Sequence, residues 1–393
     1  MKITSVICEY NPFHLGHAYQ LSEMKKRENA AVIAVMSGSF TQRGTPAILS
    51  KYERAKTALL CGADLVLELP FPFSSARADI FGASGVRILS SLGCVDEICF
   101  GSETGDIHAL LQTDARISSE EYTHALSLKL EQSRSLSHHA AMSEVYTELY
   151  GKDESLSGSN DLLALSYLAA LRKEKSTIAP HAIQRIGETY NGEGTGLSSA
   201  TSIRNMLREG DFEKIKQSVP KATLESMQKA VTSGEIADEE KLYSLFALLA
   251  RTREDSLRHI PDIPDELIYR MIKAAKTAKN TEEFLNLAKT KLYSPSRIRR
   301  GMLYAIMNVK STDFESVPYT TVLAANETGR AILSRIRKTS DIPIITKPAD
   351  AVRFGEKVSA AFSLSAKADS IWELLLTTPA SGERMMREHP RML

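Results

Sequence analysis

The chain has 393 residues and a formal net charge of +1, with 43% hydrophobic and 25% charged residues, a composition typical of globular rather than disordered or fibrous proteins. No signal-peptide pattern is present and no apolar run reaches the roughly 18 residues of a membrane span, so we expect a cytoplasmic protein that does not enter the membrane. The four cysteines form no CxxC pair and show no Cys/His ligand spacing, which argues against a zinc site.

The first hundred residues alternate strand-like and helix-like segments. Such alternation predicts βαβ units and an α/β fold with a parallel sheet. In sheets of this kind ligands bind beyond the carboxyl ends of the strands, so we expect segments 11–17, 37–45 and 101–104 to face one crevice. The predicted strands are 3–9, 30–36, 63–70 and 95–100, and the predicted helices are 15–28, 50–61 and 76–92.

The rest of the chain is mostly helical in pattern, with a strand-like run at 176–186, a Gly-rich loop at 188–199 and a predicted strand at 319–324. We predict a catalytic domain over 1–210 and a mostly helical domain over 211–393. Between Met271 and Arg353, 15 Lys/Arg face 7 Asp/Glu, a balance of +8 that leaves −7 for the remainder of the chain. Either a polyanionic partner or an ordinary solvated helical surface explains this excess.

The segment Asn11–His17, NPFHLGH, carries the clearest chemical signal. His14 and His17 are three residues apart, so both rings lie on one face of the first helical turn. The free N–H groups and the dipole of that turn favour an anion, and Gly16 lets a nucleotide approach the backbone. Two imidazoles there can donate hydrogen bonds to the charge that develops as pyrophosphate leaves. The pattern predicts adenylyl transfer; the alternative is two histidines that merely begin a helix.

Three other segments add weaker signals. Hydroxyl groups and an arginine at a predicted helix start form a second phosphate cradle, or else an ordinary helix cap: Ser198, Ser199, Thr201 and Arg204. Arg43, in the polar loop 37–44, can hold a carboxylate or phosphate, or can be a solvated loop residue. Gly101 ends the fourth strand at the crevice, where a bare backbone can meet a nucleotide or form a plain turn.

Several stretches together resemble one family. CEYNPFHLGH, MSGSFTQRGTPAILSKYERA, GADLVLELP, FGSE and SSATSIR follow the pattern of the bacterial tRNA(Met) cytidine acetate ligases, through most of the first 210 residues. The similarity continues more weakly through LYSPSRIRRGMLYAIM and IPIITK. The resemblance implies a Rossmann-like nucleotidyltransferase domain with a parallel sheet, followed by a mostly helical C-terminal domain. It also implies a reaction in which ATP and acetate give acetyl-adenylate, and the acetyl group passes to N4 of the wobble cytidine of elongator tRNA(Met).

The resemblance also implies site residues. Its ATP-binding stretch falls on Ile7, Cys8, Glu9, Tyr10, Asn11, Pro12, Phe13, His14, Leu15, Gly16, His17, Ala18, Tyr19 and Gln20, with further ATP contacts at Gly101, Asn160 and Arg185. We assign catalytic roles to His14, His17 and Arg43, and tRNA binding to the basic cluster Arg297, Arg299 and Arg300. ATP is the expected co-substrate, accompanied by Mg²⁺ because of its phosphate charge. Two alternatives stay open: another HxGH adenylyltransferase or acyl-adenylate-forming ligase that acts on a small molecule, and an RNA-binding protein that has lost catalysis.

Overall fold

The computed structural model describes residues 1–27, 30–133, 136–185 and 198–393. Its central feature is a sheet with the strand order β5-β4-β1-β2-β3-β6-β7, in which β8 also pairs with β6. The strands β1 to β5 run parallel to one another, which confirms the predicted parallel α/β sheet. The strands are β1 (Ile3–Cys8), β2 (Ala31–Ser37), β3 (Leu65–Leu69), β4 (Glu97–Ser102), β5 (Ala179–Gln184), β6 (Thr320–Ala325), β7 (Ile344–Ile345) and β8 (Arg391–Met392).

Helices follow the first strands and then dominate the chain. The helices of the first half are α1 (Leu15–Lys26), α2 (Lys51–Leu60), α3 (Ala78–Ser91), α4 (Ile107–Ile117), α5 (Glu120–Gln132), α6 (His138–Tyr150), α7 (Ser159–Lys173) and α8 (Ala200–Glu209). Those that follow are α9 (Phe212–Ser218), α10 (Lys221–Ser233), α11 (Glu239–Thr252), α12 (Asp265–Thr277), α13 (Thr281–Ala288), α14 (Pro295–Met307), α15 (Glu327–Thr339), α16 (Glu356–Leu374) and α17 (Arg384–Arg387). Among the described residues, no helix combines the length and the apolar character needed to cross a bilayer.

Local sequence explains where the early helices begin and end. The hydroxyl of Ser50 accepts a hydrogen bond from the N–H of Glu53 and so caps α2, as predicted. Gly62 follows that helix with a φ of 118°, a backbone conformation that side chains with a Cβ rarely adopt. The predicted Gly-rich loop at 188–199 lies outside the described residues except for its last two positions.

Both faces of the sheet are buried. Alternate residues of β1 and β2 belong to one apolar cluster with residues of α3, α7 and α15, and the intervening residues belong to a second cluster with residues of α1 and α2. A third apolar cluster joins α11 to α14 and α16, and it includes Phe40 from the loop after β2. The helical part of the chain is therefore packed directly against a loop at the carboxyl edge of the sheet.

One strand of the sheet comes from the second half of the chain. β6 pairs antiparallel with β3, in a register that joins Leu65 to Ala325. The expected strand at 319–324 is therefore present, and the residues after 210 contribute to the sheet as well as to the helical layer. The division at residue 210 stays a prediction about domain organisation.

The strand order reverses direction at one point. The chain runs from β1 to β2 and β3 on one side, and β4 and β5 lie on the other side of β1. The crevice beyond the carboxyl ends of β1 and β4 is therefore the topological switch point, where open α/β sheets bind their ligands. The turn that carries both predicted catalytic histidines leaves β1 at this point.

Candidate active site

The histidine turn at the start of α1 is held by its own side chains. His14 is the N-cap, and its Nδ1 accepts the N–H of Gly16 at 3.0 Å. The Nδ1 of His17 accepts the N–H of His14 at 3.2 Å. The two rings stack with centroids 3.7 Å apart and an interplanar angle of 25°. A Cβ on Gly16 would lie 2.9 Å from Cε1 of His14, so this packing requires glycine.

These hydrogen bonds fix the protonation pattern of both imidazoles. Since each Nδ1 accepts a backbone N–H, each neutral ring carries its proton on Nε2 and can donate from there. Burial, with a smaller contribution from the charge of Arg185, lowers the pKa of His14 to about 4. Burial also lowers the pKa of His17 well below its ordinary value, helped by His14 and Arg185. The site therefore contains two neutral imidazole N–H donors at the N-terminus of α1.

The lowered pKa values predict an unusual pH dependence. A histidine cation would lose activity as pH rises through about 6.5, whereas neutral donors lose it only when acid protonates them. We expect the nucleotide-activation rate at saturating substrate to stay level from about pH 8 to about pH 5.5, because His14 has a pKa of about 4. A pH profile of pyrophosphate release checks this, and a fall in rate centred near pH 6.5 as pH rises would contradict neutral donors.

Three residues that the family resemblance assigned to ATP binding lie together at the carboxyl end of β4. Nη1 of Arg185 donates to Oδ1 of Asn160 at 3.1 Å, and a Cβ on Gly101 would meet Cγ of Arg185 at 3.3 Å. Nδ2 of Asn160 donates to Oε1 of Glu103 at 2.6 Å. The buried carboxylate of Asp161 accepts from the backbone of the same strand end. The structure thus brings Gly101, Asn160 and Arg185 together on the side of the crevice that faces His14.

The loop after β2 closes the other side of the crevice. The N–H of Gln42 donates to Oε1 of Glu9 at 2.6 Å, which joins this loop to the end of β1. Burial raises the pKa of Glu9, and the Gln42 hydrogen bond and the charge of Arg43 oppose that rise. The Arg43 side chain is exposed, so it is free to meet a ligand. Gly44 has a φ of 76°, and a Cβ there would lie 2.6 Å from the backbone nitrogen of Arg300.

A network of buried charged side chains contacts the loop after β2 and holds it in place. The Nζ of Lys51 contacts Oε1 of Glu68 at 2.9 Å and Oδ2 of Asp369 at 2.7 Å. Oδ1 of Asp369 accepts from the Ser39 hydroxyl at 2.6 Å. The buried guanidinium of Arg54 donates to backbone carbonyls that include those of Glu9 and Ser37. Asp369 therefore ties the loop after β2 to α16, and Arg54 joins that loop to the end of β1.

Sequence patterns did not predict a role for Lys51, Arg54, Glu68 or Asp369. The one signal in the sequence is a carboxylate inside the otherwise apolar strand LVLEL, because a buried charge requires a partner. The partners come from α2 and from a helix three hundred residues later, which no local pattern reveals.

The second predicted phosphate cradle also reaches the histidine turn. Ser199 caps α8 by accepting the N–H of Ser202. Nη1 of Arg204 donates to the carbonyl of Asn11 at 2.7 Å, and Nη2 donates to the Thr201 hydroxyl at 2.9 Å. The hydroxyl of Ser198 accepts from that of Ser218 at 3.0 Å. Arg204 and the start of α8 therefore lie against the predicted ATP-binding stretch.

The three arginines of α14 differ from the expected exposed cluster. Arg300 is only 7% exposed and donates to Asp262, so it is not available to bind a phosphate, contrary to the sequence expectation. Arg297 also contacts Asp262 and is partly exposed. Arg299 pairs with Glu239. The three arginines are close together in the sequence, but each of them forms an ion pair with an acidic residue from another part of the chain.

Comparison with known proteins adds independent information. A family model described as HIGH Nucleotidyl Transferase matches residues 1–387. The tRNA(Met) cytidine acetate ligase of Acetivibrio thermocellus is 36% identical over 372 residues, which cover 90% of each chain. That of Anoxybacillus flavithermus is 34% identical over 402 residues, covering 99% of this chain and 98% of the relative. The crystal structure of Thermotoga maritima TmcAL bound with alpha-thio ATP superposes with a TM-score of 0.91 at 32% identity, over 100% of both chains.

Proposed function

The chain belongs to the HIGH nucleotidyl transferase family and, within it, to the tRNA(Met) cytidine acetate ligases, and on that premise we propose that it activates acetate as acetyl-adenylate and transfers the acetyl group to the wobble cytidine of elongator tRNA(Met). The observation that carries this proposal is the pair of neutral imidazole donors at a helix N-terminus, placed at the switch point of the sheet. Such donors suit a reaction in which negative charge develops on a departing pyrophosphate.

In the first step, an oxygen of acetate attacks the α-phosphorus of ATP and the bond to the β-phosphate oxygen breaks. The products are acetyl-adenylate and pyrophosphate. The Nε2–H groups of His14 and His17 donate to the phosphate oxygens as charge accumulates on them, while the free N–H groups of the first turn of α1 attract the same anion. In this proposal Arg43, which is exposed and within electrostatic reach of Glu9, holds the carboxylate of acetate.

In the second step, the N4 amine of cytidine attacks the acetyl carbonyl carbon. The carbon–oxygen bond to phosphate breaks, AMP leaves, and the amine loses one proton to solvent. Acetate itself would have to expel oxide, whereas the adenylate expels the weak base AMP. The activated intermediate is required because an amine conjugated with a pyrimidine ring is a poor nucleophile.

A magnesium ion would accompany ATP rather than occupy a protein cage. In the ranges that the structure describes, no group of three or more His, Cys, Asp or Glu residues is arranged to hold a metal. Mg²⁺ commonly keeps several waters and takes substrate phosphates as ligands, and bound in that way it would neutralise part of their charge. The residues named above bind and orient the nucleotide around it.

The activation step can be tested without RNA. We expect the protein to exchange labelled pyrophosphate into ATP only when acetate is present, because formation of the adenylate is reversible. Acetyl-CoA should neither replace acetate nor be consumed. Exchange that ignores acetate but responds to another small acid would favour a small-molecule ligase instead, and no exchange with any carboxylate would remove the adenylation step.

A further inference from the structure

A large cavity opens beside the activation site. It has a volume of about 810 Å³ and lies between α8, the start of α11, α13 and the start of α14. This volume lies within the usual range for small-molecule sites. Its wall combines apolar side chains such as Leu207 and Leu285 with charged groups of both signs. It is therefore large enough for a nucleotide and carries both donors and acceptors.

Two residues connect this cavity directly to the predicted ATP-binding turn. Arg204 lines the cavity and donates to the Asn11 carbonyl at 2.7 Å. Ile48 also lines it, and its N–H donates to Oδ1 of Asn11 at 2.8 Å. The cavity therefore adjoins the nucleotide turn through these two residues.

A half-buried ion pair lies in the cavity wall nearest this junction. Arg299 donates to Glu239, and their side chains are 23% and 15% exposed. Burial lowers the pKa of Arg204 and the charges of Glu9 and Glu239 oppose that shift, which places Glu239 within electrostatic reach of the junction. The close approach of Gly44 to the backbone at Arg299 and Arg300 fixes the same end of α14 against the loop that carries Arg43.

In this ion pair, the carboxylate of Glu239 is a hydrogen-bond acceptor and lies next to the N–H donors of the Arg299 guanidinium. Cytosine offers the matching edge, with an amine donor at C4 and an acceptor at N3. Uracil reverses both groups, because it has a carbonyl at C4 and an N–H at N3. A carboxylate facing a carbonyl oxygen is repelled and left without its hydrogen bond, which is the strongest way for a polar site to reject an analogue.

The outer part of the cavity suits a sugar–phosphate chain. Arg208 and Lys289 are exposed members of the lining, from α8 and from the residue after α13. Cations in such positions pair with phosphates, while Arg guanidinium planes and aliphatic groups support unstacked bases. The wall and the opening together match a single-stranded nucleotide that enters base first.

We infer that this cavity receives the target cytosine of the tRNA, with Glu239 accepting a hydrogen bond from its exocyclic amine and Arg299 donating to its ring nitrogen. This inference rests on the proposed function and deepens it by naming the residues that select cytosine. Because the hydrogen bond to Glu239 lies in the plane of the base, the face of the amine stays open to the acetyl carbon.

The test compares Glu239→Gln with wild type, using the full chain and tRNA(Met) transcripts that carry C or U at the target position. We expect kcat/KM for acetylation of the C transcript to fall by about 10- to 100-fold, the loss typical of one base-specific contact. The ratio of binding affinities for the C and U transcripts should fall towards one. Acetate-dependent pyrophosphate exchange without tRNA should fall far less. Glu266→Gln, an exposed carboxylate at the start of α12, is the matched control and should change neither.

The outcomes separate the two levels of the proposal. Absence of acetate-dependent exchange in wild type would contradict the proposed function. Normal wild-type exchange, together with an unchanged C/U affinity ratio in Glu239→Gln, would overturn the cytosine site alone. Equal losses of exchange and of acetylation would also overturn it, because Glu239 would then support the nucleotide site instead.

A second variant tests the opening of the cavity and leaves the Glu239–Arg299 ion pair unchanged. Arg208→Ala should weaken tRNA binding and lower the slope of log affinity against log salt by about one, the value for one lost phosphate contact. Arg253→Ala, an exposed arginine after α11, should leave the slope unchanged. Equal slopes in wild type and Arg208→Ala would place the RNA backbone elsewhere.

Discussion

Replacing either His14 or His17 by alanine should slow acetate-dependent pyrophosphate release by about 10²–10³-fold, the typical cost of one transition-state donor. The physical reason is that each Nδ1 accepts a backbone N–H, so each neutral ring keeps its Nε2–H available to donate to a ligand. ATP affinity should change much less, because the donors act on charge that is fully developed only as pyrophosphate leaves. The measurement is pyrophosphate release under single-turnover conditions beside direct ATP binding.

His14 also caps α1, so loss of the cap must be separated from loss of the donor. His14→Asn can still accept the N–H of Gly16 but cannot place a ring N–H in the crevice. It should retain the stability of wild type and still lose the rate. His124→Ala, an exposed histidine on α5, is the control and should keep full activity. Near-wild-type turnover in both alanine variants would remove the histidines from the chemistry.

Replacing Lys51 by methionine should destabilise the protein by about 3–5 kcal/mol, the cost of breaking a buried ion pair from one side. Burial alone lowers the pKa of Lys51, but the charges of Asp369 and Glu68 outweigh it, so its pKa is raised well above the ordinary value. Without that ammonium group, Glu68 and Asp369 are two buried carboxylates within one cluster. Midpoints of denaturant unfolding measure the change.

A control on the same helix distinguishes this effect from a general loss of charge. Lys56→Met, at a half-buried position of α2, should shift the unfolding free energy by no more than about 0.5 kcal/mol. A triple change of Lys51, Glu68 and Asp369 to apolar residues of similar volume should recover much of the stability, because it leaves no unpaired charge. A small loss in Lys51→Met would mean that the network contributes little to holding the crevice loops.

Much of the fold could be predicted because the signals are local. Alternating apolar strands and amphipathic helices gave the parallel sheet, and Ser50 marked the start of α2. The histidine turn was equally readable, because its spacing, its glycine and its place after β1 are all within one short segment. The structure adds what that segment cannot state, namely which ring nitrogen accepts and which donates.

The features that could not be predicted depend on partners distant in sequence. β6 joins β3 although about 250 residues separate them, and no pattern within Thr320–Ala325 selects that neighbour. The sequence alone predicts that Arg300 is a surface cation, whereas in the structure it donates a hydrogen bond to Asp262. The Glu239–Arg299 pair lies between two helices that are adjacent only in space. The sequence thus shows where charged side chains occur along the chain, but it does not show which of them form ion pairs with one another.

ATP-dependent acetylation of the wobble cytidine is tested most directly by nucleoside analysis of tRNA(Met) after incubation with the protein, ATP and isotope-labelled acetate, with acetyl-CoA left out. We expect N4-acetylcytidine to appear at the wobble position, to carry the label, and to form only when ATP is present. Acetylation that required acetyl-CoA and was indifferent to ATP, or unlabelled cytidine despite rapid acetate-dependent pyrophosphate exchange, would contradict it.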